Sequence, residues 1–249
     1  MVNEAFNMDC LEAMRKMPDK YYDLAVVDPP YGAGERGTYD STNLQGGCAN
    51  YEKSKFGRFG STTGALGKYN EGIIKSRAEQ ADDNVQHWDI APPVEYFNEL
   101  ARVSKNQIIW GGNYFDLPPT RCFLILRKSQ VPLEGMCFAP VEYAWTSFNH
   151  NAEMYECRTS AISSRFAEAR FHPTQKPVEL YAWIYRLFAK EGDKILDTHL
   201  GSGSSRIAAY DMGLDFTGYE ISKYYFEEQE KRFQRHTSQL SFLREEDVE

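Results

Sequence analysis

The chain has few of the residues that would staple or anchor it. Its five cysteines (Cys10, Cys48, Cys122, Cys137 and Cys157) are scattered through 249 residues, odd in number and never spaced as C-x-x-C. That spacing argues against a disulfide framework and against a structural zinc site. His172 also stands without a cysteine or second histidine at ligand spacing, so no metal is expected. Free thiols are the default, although Cys10 adjoins a residue of interest and could touch a ligand. No apolar run approaches the length of about 20 residues that a membrane span needs. CFLIL at 122–126 is among the longest. The opening MVNEAFNMDC lacks a basic start and an apolar stretch, so no membrane association and a cytoplasmic location are expected.

Positive charge is scarce as well. The net charge is −8 and the pI near 5.3, where nucleic-acid binders usually carry a basic footprint. The deficit is uneven, however. Between Lys53 and Arg77, six basic residues (Lys53, Lys55, Arg58, Lys68, Lys75, Arg77) face Glu71 alone, so this stretch carries +5 and the rest of the chain −13. Such segregation suits a protein with one DNA-facing side; it equally suits a solvated loop. With 42% apolar and 26% charged residues the composition is that of an ordinary globular chain, long enough to bury a core.

No internal repeat interrupts the reading of elements. Short apolar runs alternate with helical patterns, which signals a mainly parallel sheet covered by helices. Strands are expected at 3–8, 24–27, 107–110, 123–126, 142–146, 194–197 and 216–220. Helices are expected at 10–17, 93–103, 178–190, 203–212 and 223–236. The helix at 93–103 would turn Val94, Phe97, Leu100 and Ala101 inward, and the one at 178 starts directly after Pro177. Residues 32–87 are rich in Gly, Ser, Thr, Asn and Lys without periodicity, which marks an inserted functional loop region or a segment ordered by a partner. Residues 149–170 read as polar and irregular. The whole is expected to be a single domain over 1–249.

Four stretches carry chemistry. In LDTHLGSGSS (196–205) a strand ends at Asp197 and a glycine-rich turn leads into a helix, with Leu200, Gly201, Ser202, Gly203 and Ser204 forming the turn. This brings ligands close to backbone at the carboxyl end of a parallel strand, or it serves structure alone. No Gly-Lys-Ser/Thr closes the turn and no G-x-G-x-x-G is present, which excludes a P-loop and weakens a dinucleotide site. Glu220 ends the next strand, where an acidic residue accepts hydrogen bonds from ribose hydroxyls; the alternative is a surface cap for the helix near Ser222.

Asp28-Pro29-Pro30-Tyr31 follows a β-branched strand. Its two prolines stiffen the backbone, so that the Asp28 carboxylate and a proline carbonyl could together accept from one amino group. Tyr31 offers a flat face for an extruded base. The alternative is a rigid turn whose tyrosine packs. Finally, Phe171-His172-Pro173-Thr174-Gln175-Lys176-Pro177 gathers varied donors in a non-helical stretch. It suits a carboxylate or amino-acid moiety, with Lys176 as charge partner, or it simply links two elements.

Taken in order, these motifs resemble the β class of DNA amino-methyltransferases. The likeness spans nearly the whole chain: Asp9, DPPY at 28–31, GGNYF at 111–115, EYAWTSF at 142–148, HPTQKP at 172–177, DTHLGSGSS at 197–205 and GYEIS at 218–222. It implies an α/β fold, a circularly permuted seven-stranded Rossmann-like sheet with helices on both faces. It implies S-adenosylmethionine as cofactor, its methionine half held by Asp197 to Ser205 with His172, Thr174, Gln175 and Lys176 of HPTQKP, its ribose by Glu220, and its adenine near Asp9. Asp28 to Tyr31 would be catalytic, and the leading Asp28 points to adenine N6 before cytosine N4. Double-stranded DNA is the implied substrate, contacted by Lys53, Lys55, Arg58 and Lys68. A homodimer and a cognate restriction enzyme are the partners such a family allows, and a non-catalytic subunit is the rival reading. Three departures stand out. Thr198-His199 replaces a common Pro-Phe, Arg127 an acidic residue, and 149–170 is short for a target-recognition segment. Base reading would then fall to 32–87 or to a partner.

Overall fold

A computed structural model describes residues 2–32, 90–128, 140–157, 171–172 and 174–246, with the side chains of 239–246 outside this set. The chain divides into two compact units, 1–29 with 92–249, and 30–91. The basic stretch holding Lys53, Lys55, Arg58 and Lys68 lies outside the described residues. At the ends of the second unit, a Cβ on Gly32 would stand 2.8 Å from that of Ala91, so the chain leaves and returns side by side.

The first unit is built on eight strands among the described residues: β1 (Asn3–Phe6), β2 (Tyr22–Val27), β3 (Ser104–Trp110), β4 (Phe123–Lys128), β5 (Val141–Thr146), β6 (Glu153–Cys157), β7 (Lys194–Asp197) and β8 (Asp215–Tyr219). Its helices are α1 (Cys10–Met14), α2 (Val94–Val103), α3 (Val178–Phe188), α4 (Ser204–Asp211) and α5 (Lys223–Glu246), with one 3-10 turn at Gly112–Tyr114. The strand order is β1-β8-β7-β2-β3-β5-β4-β6. From β1 to β3 all neighbours are parallel; β5 runs antiparallel to β3 and β4, and β6 is parallel to β4.

The sheet therefore has one strand more than the seven expected. The addition is β6, within the stretch that reads as irregular; it pairs along one side only, with β4, and exposes Met154. A strand that buries so little carries no strong apolar signal.

Alternation along β2 explains the two layers. Leu24 and Val26 join a core with Leu180, Ile184 and Tyr185 of α3 and Ala208 of α4. Ala25 and Val27 face the other way, against Met14 of α1 and Tyr96, Leu100 and Val103 of α2. Successive strand side chains point to opposite faces, so helices cover both. The buried stripe of α2 is Tyr96, Leu100 and Val103, at i, i+4 and i+7. Val94, expected inside, is 73% exposed. It opens the helix beyond the reach of the sheet, and Phe97 packs only at the margin of the core.

The connections fix where a ligand would sit. From β7 the chain passes through α4 to β8 on one side, and β3 lies on the other side of β2. β7 and β2 are parallel neighbours, with Leu24 opposite Ile195 and Ala25 opposite Leu196. The crevice outside the carboxyl ends of two such strands is the usual ligand position in doubly wound sheets.

Candidate active site

Asp28 and Asp197 emerge side by side at that crevice, one following β2 and the other ending β7. The turn after Asp197 is shaped by two glycines in the left-handed region, Gly201 (φ 51°) and Gly203 (φ 74°). Gly203 caps α4, and a Cβ there would lie 3.1 Å from Gln229, so a side chain would meet both an unfavourable backbone conformation and a tight contact. The turn is braced from several sides. Leu200 is buried and its N–H donates to Tyr219 O (2.9 Å), and Gly203 N donates to Leu200 O (2.9 Å). Arg232 of α5 donates to Ser202 O (2.8 Å) and Ser204 Oγ (2.9 Å). Ser202 and Ser204 share a hydrogen bond (3.2 Å), and Ser204 Oγ donates to Lys176 O (2.7 Å), which ties the turn to the stretch before α3.

Asp197 is buried and accepts from Ser205 Oγ and from His199 N (3.0 Å). Burial outweighs these donors and pushes its carboxyl up to about 7. Glu220 is also buried. Its two oxygens accept from Gly201 N (2.8 Å) and Ser222 N (2.8 Å), so it holds the glycine turn and caps the approach to α5 together. Burial raises its carboxyl above the ordinary value.

Lys176 is 7% exposed, and its ammonium donates to Asp28 Oδ2. It also lies 3.4 Å from Glu142 Oε2 and 5.2 Å from the centre of the Trp110 ring. Burial works against the charge, but Asp28 and Glu142 prevail and hold the ammonium well above the ordinary lysine value. His172 packs edge-on against Tyr225, ring centres 4.4 Å apart, and its Nε2 would be 3.3 Å from a Cβ at Gly201. Burial drives its imidazole down to about 4, so it is neutral at working pH. Thr174 N–H points to His172 Nδ1 (3.4 Å), and Gln175 N donates to His172 O (3.3 Å). The buried Gln175 Oε1 has no hydrogen-bond partner among the described residues.

Asp9 follows β1, two strands from β7, where its side chain caps α1 by accepting from Leu11 N (2.7 Å). Burial, with Asp9 beside it, pushes the Cys10 thiol up to about 12, so the thiol is unreactive. Pro29 closes the first stretch of the first unit, while Pro30 and Tyr31 open the second unit. Thus the structure gathers Asp28, Lys176, Asp197, the glycine turn, His172 and Glu220.

Two features escape sequence reasoning. One is the buried chain Tyr96 OH to Thr198 Oγ1 (2.6 Å) to His199 Nδ1 (3.0 Å), in which Thr198-His199 finds its own partner on α2. The other is Glu142 with Lys128. The motif EYAWTSF signals this stretch but gives its first residue no role.

The model of the DNA methylase family, which groups N6 and N4 methyltransferases, matches residues 67–231, more than half of the chain. The chain belongs to the DNA methylase family. It is similar to the Type II methyltransferase M2.DpnII of Streptococcus pneumoniae, 34% identical over 87 residues, covering 34% of this chain and 32% of that protein. It is similar in the same degree to M2.LlaDCHI of Lactococcus lactis subsp. cremoris, at 33% over 89 residues, 35% of this chain and 33% of that one. The match spans about a third of the length of these relatives. In fold the chain is like the PvuII DNA methyltransferase (cytosine-N4-specific), with a TM-score of 0.55 at 11% identity over 96% of this chain and 91% of that one. No described helix of the chain is long and apolar enough to cross a membrane.

Proposed function

We propose that this methylase transfers a methyl group from S-adenosylmethionine to the N6 amino group of an adenine extruded from duplex DNA. The observation that carries the reading is the meeting of Asp28 with the glycine turn at the carboxyl ends of adjacent parallel strands. The residues around the turn fit the cofactor. Asp197 offers negative charge to a cationic ligand, and Gln175 Oε1 is a buried acceptor still open to a donor among the described residues. Backbone N–H groups at the start of α4 suit a carboxylate. Glu220 accepts from Gly201 N on one oxygen and from Ser222 N on the other, and its carboxylate keeps lone-pair capacity for a ribose hydroxyl. His172 and Thr174 would wall the methionine half, and Asp9 would lie toward the adenine. When bound, the cofactor supplies a methyl group activated by its sulfonium.

The chain's own residues do the rest by positioning. Asp28 and the Pro29 carbonyl accept the two N–H donors of the target amino group and aim its lone pair. Tyr31 stacks on the extruded base, whose unstacking costs roughly a few kcal/mol. Lys53, Lys55, Arg58 and Lys68 would meet phosphates. Aspartate as first residue of the tetrapeptide favours adenine over cytosine N4.

Incubation of duplex DNA with methyl-labelled cofactor tests the reading. The wild type should label DNA in preference to RNA. Asp28→Ala should lose transfer while binding the cofactor with little change, and retained turnover in that variant would sink the assignment.

A further inference from the structure

A buried lysine between two carboxylates is an unusual arrangement beside a group that must accept hydrogen bonds. The charges alternate across the sheet: Lys128 at the end of β4, Glu142 on β5, Lys176, then Asp28 after β2. Each oxygen of Glu142 has its own cation, Oε1 facing Lys128 and Oε2 facing Lys176. The antiparallel register makes this reach natural. Leu126 stands opposite Glu142, and Lys128, two residues on, falls on the same face and diagonally across. Lys128 and Glu142 are partly exposed, whereas Lys176 is sealed.

We propose that Glu142, anchored by Lys128, is a positioning residue that shares the Lys176 ammonium and so sets the orientation and acceptor strength of Asp28. This rests on the function proposed above. Lys176 held by Asp28 alone would place its whole charge on the carboxylate that must receive the target amino group. A second carboxylate divides that charge and fixes the lysine from behind. Burial opposes the Glu142 charge, but Lys176 and Lys128 together hold its carboxyl below the ordinary value, so Glu142 stays ionised throughout the working range. The Trp110 ring under the ammonium adds a further, weaker fixation.

The test compares Glu142→Gln, Glu142→Asp, Lys128→Met and the double variant Glu142→Gln/Lys128→Met in steady-state methylation of duplex DNA. Cofactor affinity is measured by calorimetry and folding by thermal melting. Glu142→Gln should lower kcat about 10- to 100-fold, the range typical of removing a partner that orients a functional group. Cofactor Kd and DNA KM should stay within about twofold, the pattern of an interaction made only in the transition state. Glu142→Asp should recover part of the loss. Lys128→Met should cost less alone and nothing further in the Glu142→Gln background, because it acts through Glu142. Wild-type kcat in Glu142→Gln would overturn the proposal, as would a loss that Glu142→Asp does not relieve or one explained by melting and cofactor release together. An inactive wild type would bring down the proposed function and the role of Glu142 with it; an active wild type with an unaffected Glu142→Gln brings down the role of Glu142 alone.

Discussion

Asp28 and Asp197 end neighbouring strands yet meet opposite electrostatics. Asp28 faces an ammonium, whereas Asp197 is held by the neutral Ser205 hydroxyl and the His199 N–H. Burial pushes Asp197 up to about 7, above the aspartate reference of 3.8. The unfolded chain gives up this proton near that reference, so the stability it lends the unliganded fold is complete below it and is lost as pH rises through about 7. A cationic ligand selects the ionised form, with the opposite consequence. S-adenosylmethionine should bind about tenfold more tightly at pH 8 than at pH 6, as expected for one coupled ionisation near 7. Calorimetry at the two pH values checks this, and Asp197→Asn should flatten the dependence; equal affinities in the wild type would refute it. His172 and His199 do not confuse the reading, because burial holds both near 4.

At the scale of elements, α5 acts as a brace for the glycine turn. Arg232 is buried and satisfies the Ser202 carbonyl and the Ser204 hydroxyl. Arg232→Ala deprives the buried Ser202 carbonyl of this donor, at a cost of about 1–3 kcal/mol, whereas the Ser204 hydroxyl keeps its bonds to Ser202 and Lys176. Urea denaturation should register a loss of about 2 kcal/mol, and cofactor affinity should fall in parallel because the turn relaxes. Gly203→Ala should weaken cofactor binding more than stability, since left-handed backbone costs a side chain only about 1–2 kcal/mol. A variant that binds as well as the wild type would remove the turn from the site.

Most of these elements are legible in the sequence. β7 has its expected bounds because Ile195 and Leu196 are bracketed by the charged Lys194 and Asp197, and α3 begins where expected because Pro177 fixes its start. α5 runs ten residues past the expected His236, through TSQLSFLREE, where Leu240 and Leu243 at i and i+3 continue a helical spacing among polar residues. The pair Lys176–Asp28 joins residues 148 positions apart, and Glu142 joins them from β5. Motif reading sees each stretch singly, so it assigns Lys176 to the cofactor and leaves Glu142 without a role. Pairing across a sheet depends on strand order, which spacing along the chain does not encode.

For the whole molecule, charge separation matters more than its sum. The stretch 53–77 carries +5 in a chain of −8. If it meets phosphates, neutralising Lys53, Lys55, Arg58 and Lys68 together should raise the KM for DNA. It should also reduce the slope of log affinity against log salt by about 0.9 for each phosphate left without its cation. Cofactor affinity should hold, because the glycine turn belongs to the other unit. An unchanged salt slope would mean that these charges are merely solvated. On the proposed function the eight-stranded sheet would divide the work: its β7–β2 crevice would serve the chemistry, and the charge at β4 and β5 would tune it.

Whether Asp28 directs methyl transfer to an adenine amino group is tested most directly by identifying the methylated base. Duplex DNA is incubated with S-adenosylmethionine and the protein, digested to nucleosides and analysed by mass spectrometry. The predicted result is N6-methyladenine from the wild type and none from Asp28→Ala. N4-methylcytosine in its place, no methylated base, or an undiminished yield from Asp28→Ala would contradict that role.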